Sequence, residues 1–365
     1  VGMRNSIDKF CVNTDYETRR LRRIAAMTSG ITRAIEARVA RRPELRDEVA
    51  IADSAHAGSA RCETEARAEA MAEAEVEAGL AGCAHAKNAC AHACDALARR
   101  VASGHAAAGL LEGIDAVLHL AGISNDPLGD LDPAVTFAIN HEASVRLARL
   151  AKEAGVSRFV FASSCSAYGA AGDVILDEEA PFNPVTAYAE SKIRVERDLA
   201  ALADERFSPV FLRSATAYGR APRLRGDLVV NNLLGWAFTT GKVLIKSDGT
   251  PWRPLVHVED MAAAFVAVLE APREAVHGEA FNVGRDRDNW RVRDLAEMVA
   301  AAVPGAEIAY ASGGGPDKRN YRVSFAKIRE RVPGFRPRWT VEEGIRDLAA
   351  AYERYGLTLA DLEGG

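Results

Sequence analysis

The sequence predicts an α/β protein built on a parallel sheet, and three observations carry that prediction. Short apolar runs of strand length alternate with amphipathic stretches of helical period after Gly113. The runs are apolar at consecutive positions, as strands covered on both faces are. Capping and helix-stopping residues fall at the joints, so each strand is followed by a crossover helix and the next strand lies parallel to the last.

The elements follow in order. "AVLHLAG" (Ala116–Gly122) reads as a buried strand ending in glycine. "DPAVTFAINHEASVRLARLAKEAG" reads as one amphipathic helix, with Asp132 as N-cap and Gly155 just past its end. "RFVFASS" is a second buried strand, "TAYAESKIRVERDLAAL" a helix and "PVFLRSA" a third strand. Beyond them, "KVLIKSDG", "PLVHVEDMAAAFVAVLEA", "EAFNVG", a helix over Val292–Ala302 and "WTVEEGIRDLAAAYERYG" read as a smaller mixed lobe. The expected division is an atypical Ala-rich segment over 1–112, a catalytic part over 113–220, and a mainly substrate-binding lobe over 221–365.

Residues 1–112 are unlike the rest. No aromatic residue occurs between Tyr16 and Phe137, and alanine makes up more than a third of residues 51–110. Alanine favours helix, but helices in water are held mainly by burying an apolar face. This stretch offers little to bury, so it is expected to be solvated helix, loosely packed or disordered, without β-strands. "CAHAKNACAHAC" (Cys83–Cys94) places three cysteines and two histidines close together. Their spacing is not that of a zinc finger and few apolar residues surround them, so no metal site is expected.

Composition narrows the function classes. The chain has 365 residues and a formal net charge of -5, a mildly acidic balance that argues against nucleic acid as partner. No apolar run approaches the ~20 residues that span a bilayer, and no apolar stretch follows the basic N-terminus. Six cysteines in so long a chain do not suggest a disulfide scaffold. These readings point to a cytoplasmic protein with no membrane partner.

The chemistry centres on "SSCSAYG" (Ser163–Gly169) and "YAESK" (Tyr188–Lys192). Tyr188 and Lys192 are four apart on a helix and share one face. A free phenol, with a pKa near ~10, is a poor base at neutral pH, and a nearby ammonium lowers that value. The pair then takes or returns a proton at a sugar hydroxyl or carbonyl. The Y-x-x-x-K spacing alone fits a solvated face equally well. Its weight comes from the strand ending in Ser-Ser some twenty residues earlier.

With these motifs in this order, residues 113–356 resemble the extended short-chain dehydrogenase/reductases, the NAD-dependent nucleotide-sugar epimerases and dehydratases. "VLHLAG" resembles the family's fourth strand, "FASSCSAYG" the fifth, "NPVTAYAESK" the tyrosine helix, "LRSATAYGRAP" the sixth strand and its loop, and "RPLVHVEDMA", "FNVG" and "PDKRNYRVSFAKI" the C-terminal lobe. The resemblance implies a Rossmann-like doubly wound sheet with a small mixed substrate lobe. It implies Tyr188 as general acid/base, Lys192 on the nicotinamide ribose and Ser164 positioning the reacting oxygen. It places Ala121 and Gly122 beside the cofactor, which is NAD or NADP. Ser124, Thr216, Arg253 and Arg319 are expected on a nucleotide-sugar substrate, the arginines on its diphosphate. Arg253 also reads as a surface arginine, Asn140 and His257 as structural residues, and His119 as a core histidine. Relatives often dimerise through two helices, here Asp132–Ala154 and Thr186–Leu202, so a homodimer is expected.

Two departures bear on the reaction. The family's dehydratases carry acidic residues directly after the catalytic Ser/Thr, where this chain has Cys165 and Ser166. Dehydration is therefore disfavoured against epimerisation, with keto-reduction or alcohol oxidation as the alternative. The family's G-x-x-G-x-x-G loop, which seats the pyrophosphate at a helix N-terminus, is not found in residues 1–112; Gly79 and Gly82 are three apart with no third. Three explanations remain open: a wrong-frame reading of GC-rich DNA, an inactive sugar-nucleotide-binding relative, or an unusual cofactor segment.

Overall fold

The computed structural model describes residues 49–52, 111, 113–221, 224–311 and 319–364. Its centre is a five-stranded sheet in which every neighbouring pair is parallel. The order is β1 (Val49–Ala52), β2 (Ala116–His119), β3 (Arg158–Ser164), β5 (Ser208–Ser214) and β9 (Ala280–Val283). β4 (Ala170–Leu176) leaves this sheet to pair with β12 (Asn320–Val323).

Crossover helices cover both faces, which is why the strands are apolar at successive positions. On one face Val117, Phe159, Phe161 and Phe211 pack with Val145, Ala148, Val195 and Leu199. The latter belong to α3 (Ala143–Glu153) and α4 (Ala187–Ala200). On the other face Leu118, Val160, Leu212 and Phe281 meet Ala264, Phe265 and Val268 of the almost wholly buried helix Val258–Glu270. Burying each of these large side chains contributes about 1.5–3 kcal/mol.

The expected second part, residues 221–365, returns to the main sheet through that helix and β9, which pairs with β5. The rest forms a lobe with its own core. There Leu233 and Leu234, Val243 and Ile245, Leu295 and Val299, and Ile345 and Leu348 close on one another. Its strands β6 (Thr216–Tyr218), β8 (Trp252–His257) and β10 (Asn289–Arg291) form a mixed three-stranded sheet.

Caps explain the helix ends. Asp132 accepts from Val135 N at 3.1 Å, Thr186 from Ala189 N at 3.2 Å, and Thr340 with Glu343 forms a capping box. Gly155, at φ 86°, follows α3 as the sequence suggests.

One expectation is corrected and another refined. The front of the chain is not free of strands, for Val49–Ala52 pairs in parallel with β2 along its whole length. Doubly wound sheets set their first strand beside their fourth, and β1 holds that place. Four residues between charged neighbours leave no readable period, which is why the sequence hid it. The helix expected after Asp132 runs without a break to Glu153, but it is not uniformly α: a π-helical turn, Ala138–Glu142, lies between α2 (Pro133–Phe137) and α3, and a further short helix, α1 (Asp126–Leu131), precedes the Asp132 cap. The Cys83–Cys94 cluster and the expected state of the Ala-rich segment lie outside the described residues.

Candidate active site

Ligands of doubly wound sheets bind outside the carboxyl ends of the strands, and the candidate residues gather at that end of β2 and β3. Ser164 is the last residue of β3. Its Oγ accepts from Ser166 N at 3.1 Å and from Ser166 Oγ at 2.9 Å. That leaves its own hydrogen free to face Tyr188, whose pKa the nearby Ser164 hydroxyl lowers. Tyr188 sits in the first turn of α4, fixed by the Thr186 cap.

Lys192 follows one turn later and is 3% exposed. Its Nζ donates to Ala162 O at 2.7 Å and lies 5.4 Å from the centre of the Tyr188 ring. The expectation that the lysine brings the phenol pKa down needs correcting for the protein without ligands. Burial outweighs everything else and pushes Tyr188 up to about 12, the Ser164 hydroxyl opposing it. Tyr188 thus holds its proton at neutral pH.

Ala121 and Gly122 follow β2, and Gly122 passes close to this lysine. A Cβ on Gly122 would lie 3.1 Å from Asn140 Oδ1 and 3.6 Å from Lys192 Nζ, so the bare backbone allows the close approach. Asn140, buried in the π-turn, pins the loop by both amide atoms: Ile123 N donates to its Oδ1 at 2.7 Å and its Nδ2 donates to Ile123 O at 2.9 Å. It also donates to Ser191 Oγ at 3.2 Å, which donates to Tyr188 O at 2.7 Å. The residue read as structural joins the cofactor-side loop to the tyrosine helix, and a π-turn at a site is a common device.

His119 is a core residue, as the sequence suggests. Ser144 Oγ donates to Asn140 O at 2.6 Å, so His119 Nε2, 2.7 Å from Ser144 Oγ, must be the donor there. Burial and the Lys192 charge hold its pKa down at about 3, so the ring is neutral.

The substrate-side residues come from both parts of the chain. Arg253 is not a surface arginine; it is 7% exposed, and its Nη1 donates to Trp252 O at 2.8 Å and to Arg319 O. Arg319 donates to Asp126 Oδ2 at 2.7 Å. Ser124 Oγ accepts from Arg225 Nη1 at 2.7 Å, and Arg225 pairs with Asp227 at 2.7 Å. Thr216 lies on β6, level with Leu255 of the strand that carries Arg253. The sequence reading missed Asp126 and Arg225; no motif marks either, and only the fold brings them to the site.

Cys165, one of the two positions where dehydratases carry acids, is fully buried, its Sγ donating to Arg213 O at 3.1 Å, and burial raises its pKa far up. Neither it nor Ser166 offers a carboxylate next to Ser164.

The family model described as the NAD dependent epimerase/dehydratase family matches residues 59–284. A UDP-glucose 4-epimerase of Mycolicibacterium smegmatis is 30% identical over 240 residues, 63% of this chain and 74% of that one. A dTDP-D-glucose 4,6-dehydratase of Mus musculus is 26% identical over 252 residues, 67% of this chain and 69% of that one. Among solved structures, MoeE5 in complex with UDP-glucuronic acid and NAD superposes with a TM-score of 0.61 at 27% identity, covering 69% of this chain and 84% of that chain.

Proposed function

The chain belongs to the NAD dependent epimerase/dehydratase family, and we propose that it epimerises a nucleotide sugar by reversible hydride transfer. The supporting observation is the gathering of Tyr188 and the buried Lys192, 5.4 Å from its ring centre, beside the Ser164 strand end, with a buried thiol and a hydroxyl where the dehydratases carry acids.

NAD fits the residues present on its nicotinamide side. Gly122 lets the loop after β2 pass close over the buried Lys192 amine, which supports reading that amine as the contact to a ribose. When bound, NAD supplies the acceptor and donor of hydride. The chain's own residues move the proton. Tyr188 first gives up its own proton to solvent; as the phenolate it then takes the proton of the sugar hydroxyl as that carbon becomes a ketone, and returns it after the ketone has turned in the site. Ser164 donates to the tyrosine oxygen and favours its ionised form during the first step. Arg253 and Arg319 hold the diphosphate while the sugar turns.

A second reading, keto-reduction at the same residues, draws on the raised pKa of Tyr188, since a phenol that keeps its proton is ready to donate one. We infer a homodimer through the helices that follow Asp132 and Thr186. No helix among the described residues is long and apolar enough to cross a membrane.

The test is incubation of the purified chain with NAD+ and UDP-glucose or dTDP-glucose, separating the products by anion exchange. Epimerisation yields a second hexose with no net NADH. Stoichiometric NADH absorbance at 340 nm instead indicates a dehydrogenase or reductase. Binding of the sugar nucleotide without turnover indicates an inactive relative, and a dehydrated keto-sugar would overturn the argument from Cys165 and Ser166.

A further inference from the structure

This inference rests on the nucleotide-sugar reading above and concerns Asp126. Asp126 and Asp130 stand one turn apart on α1 and share a face. Asp130 fixes where that face looks, because its Oδ1 accepts from Ala187 N at 3.1 Å, the residue before Tyr188. Asp126 is thereby placed near the phenol, and its charge is among the influences that raise the Tyr188 pKa.

The two oxygens of Asp126 are treated differently. Oδ2 accepts from Arg319 Nη1 at 2.7 Å. Oδ1 is buried and has no hydrogen-bond partner among the described residues. Buried carboxylate oxygens are costly to leave unpaired. The loop is also not free to turn away. Ile123 is clamped by Asn140, Ser124 by Arg225 at 2.7 Å, and Asn125 Nδ2 donates to Asp227 Oδ2 at 3.0 Å.

A nucleotide sugar bound as proposed has its diphosphate at Arg253 and Arg319 and its reacting carbon at Tyr188 and Ser164. The hexose lies between these ends. Asp126 touches Arg319 on one side and neighbours Tyr188 on the other, so it runs alongside the hexose. We infer that Asp126 Oδ1 accepts a hydrogen bond from a hydroxyl of the substrate's sugar, which makes Asp126 a specificity-determining residue. Arg319 already balances the carboxylate charge, so a neutral hydroxyl is the matching group.

Calorimetric titration tests this with two probe pairs: UDP-glucose against UDP, and dTDP-glucose against dTDP. Wild-type protein, Asp126→Ala and Asp126→Asn are compared in the presence of NAD+. In Asp126→Ala the affinity for the sugar nucleotide is expected to fall about tenfold while that for the parent diphosphate stays within about twofold. Asp126→Asn keeps the side-chain shape and an acceptor, and is expected to lose less. Should the alanine variant melt early, the asparagine variant with the sugar-free diphosphate as internal control still reads the same ratio. An unchanged ratio in both variants overturns the inference. A rise in diphosphate affinity also overturns it, showing that Asp126 merely restrains Arg319. A wild-type chain that binds neither sugar nucleotide overturns the functional reading itself, and this inference with it.

Discussion

At the scale of single residues, the site is a set of groups whose charge state is set by burial. Tyr188→Phe keeps the ring and removes the one group that exchanges a proton. Turnover is expected to drop by about 10²–10⁴, while the thermal shift produced by NAD+ persists; full activity in the variant would remove Tyr188 from the mechanism. The buried histidines give a pH signature. Burial holds His119 at about 3 and His257 at about 4, against 6.5 for a free imidazole. As pH falls below 6.5 the unfolded chain takes up these protons and the folded chain refuses them, so stability is lost on acidification. At pH 5 each ring accounts for roughly 2 kcal/mol of that loss. Asp288, pushed up to about 6 by burial, takes up a proton in the folded state as pH falls from 7 to 5 while the unfolded chain does not, so it acts the other way, returning roughly 1 kcal/mol. Urea unfolding at pH 7 and pH 5 checks this: His119→Gln should flatten the difference by about 2 kcal/mol, and equal slopes would count against a buried neutral ring. The sequence marked Ser164, Tyr188 and Lys192 because a strand end and a helical spacing select them. It did not mark Asp126 or Arg225, whose meaning depends on contacts of 2.7 Å across long stretches of chain.

At the scale of elements, the tyrosine helix is braced from behind. Tyr188, Lys192 and Glu196 follow at intervals of four on α4, so one face carries the chemistry and its anchor. Glu196 pairs with Arg213 of β5 at 2.7 Å, both side chains 7% exposed, and accepts from Ser163 Oγ of β3. Arg213 in turn donates to Tyr168 Oη at 3.0 Å and Glu178 O at 2.9 Å. Removing one partner of a buried pair leaves an uncompensated charge, so Glu196→Ala should cost about 3–5 kcal/mol in chemical denaturation. Glu196→Gln with Arg213→Met should recover much of that, because no charge is then stranded. Equal losses in the single and double variants would mean that packing, not charge, holds the join. The helix itself was legible from its cap and its period. The brace was not, since an arginine on a strand and a glutamate on a helix announce no partner until the crossover brings them together.

At the scale of the whole molecule, the open question in the sequence was what covers the edge of β2. The sheet after Gly113 was readable because its strands carry apolar residues at successive positions and several of its helices carry caps. The front of the chain was not, because "VAIA" lies between "RDE" and "DSAH" and shows neither period nor length. The structure places Val49–Ala52 on that edge, with Ala50 level with Val117 and Ile51 level with Leu118. Among the described residues this strand has one parallel partner, β2, and a strand turns alternate N–H groups toward such a partner. Of the two neighbouring substitutions Ala50→Pro and Ile51→Pro, one therefore removes a ladder donor and the other removes a donor that faces outward. The first should lower stability by about 1–3 kcal/mol, the cost of a carbonyl left unpaired. It should also bare the β2 edge and promote association between chains. The second should do so much less. Thermal melts and sedimentation of the two variants side by side decide the matter, and two variants that both behave as wild type would show that β2 does not depend on this strand.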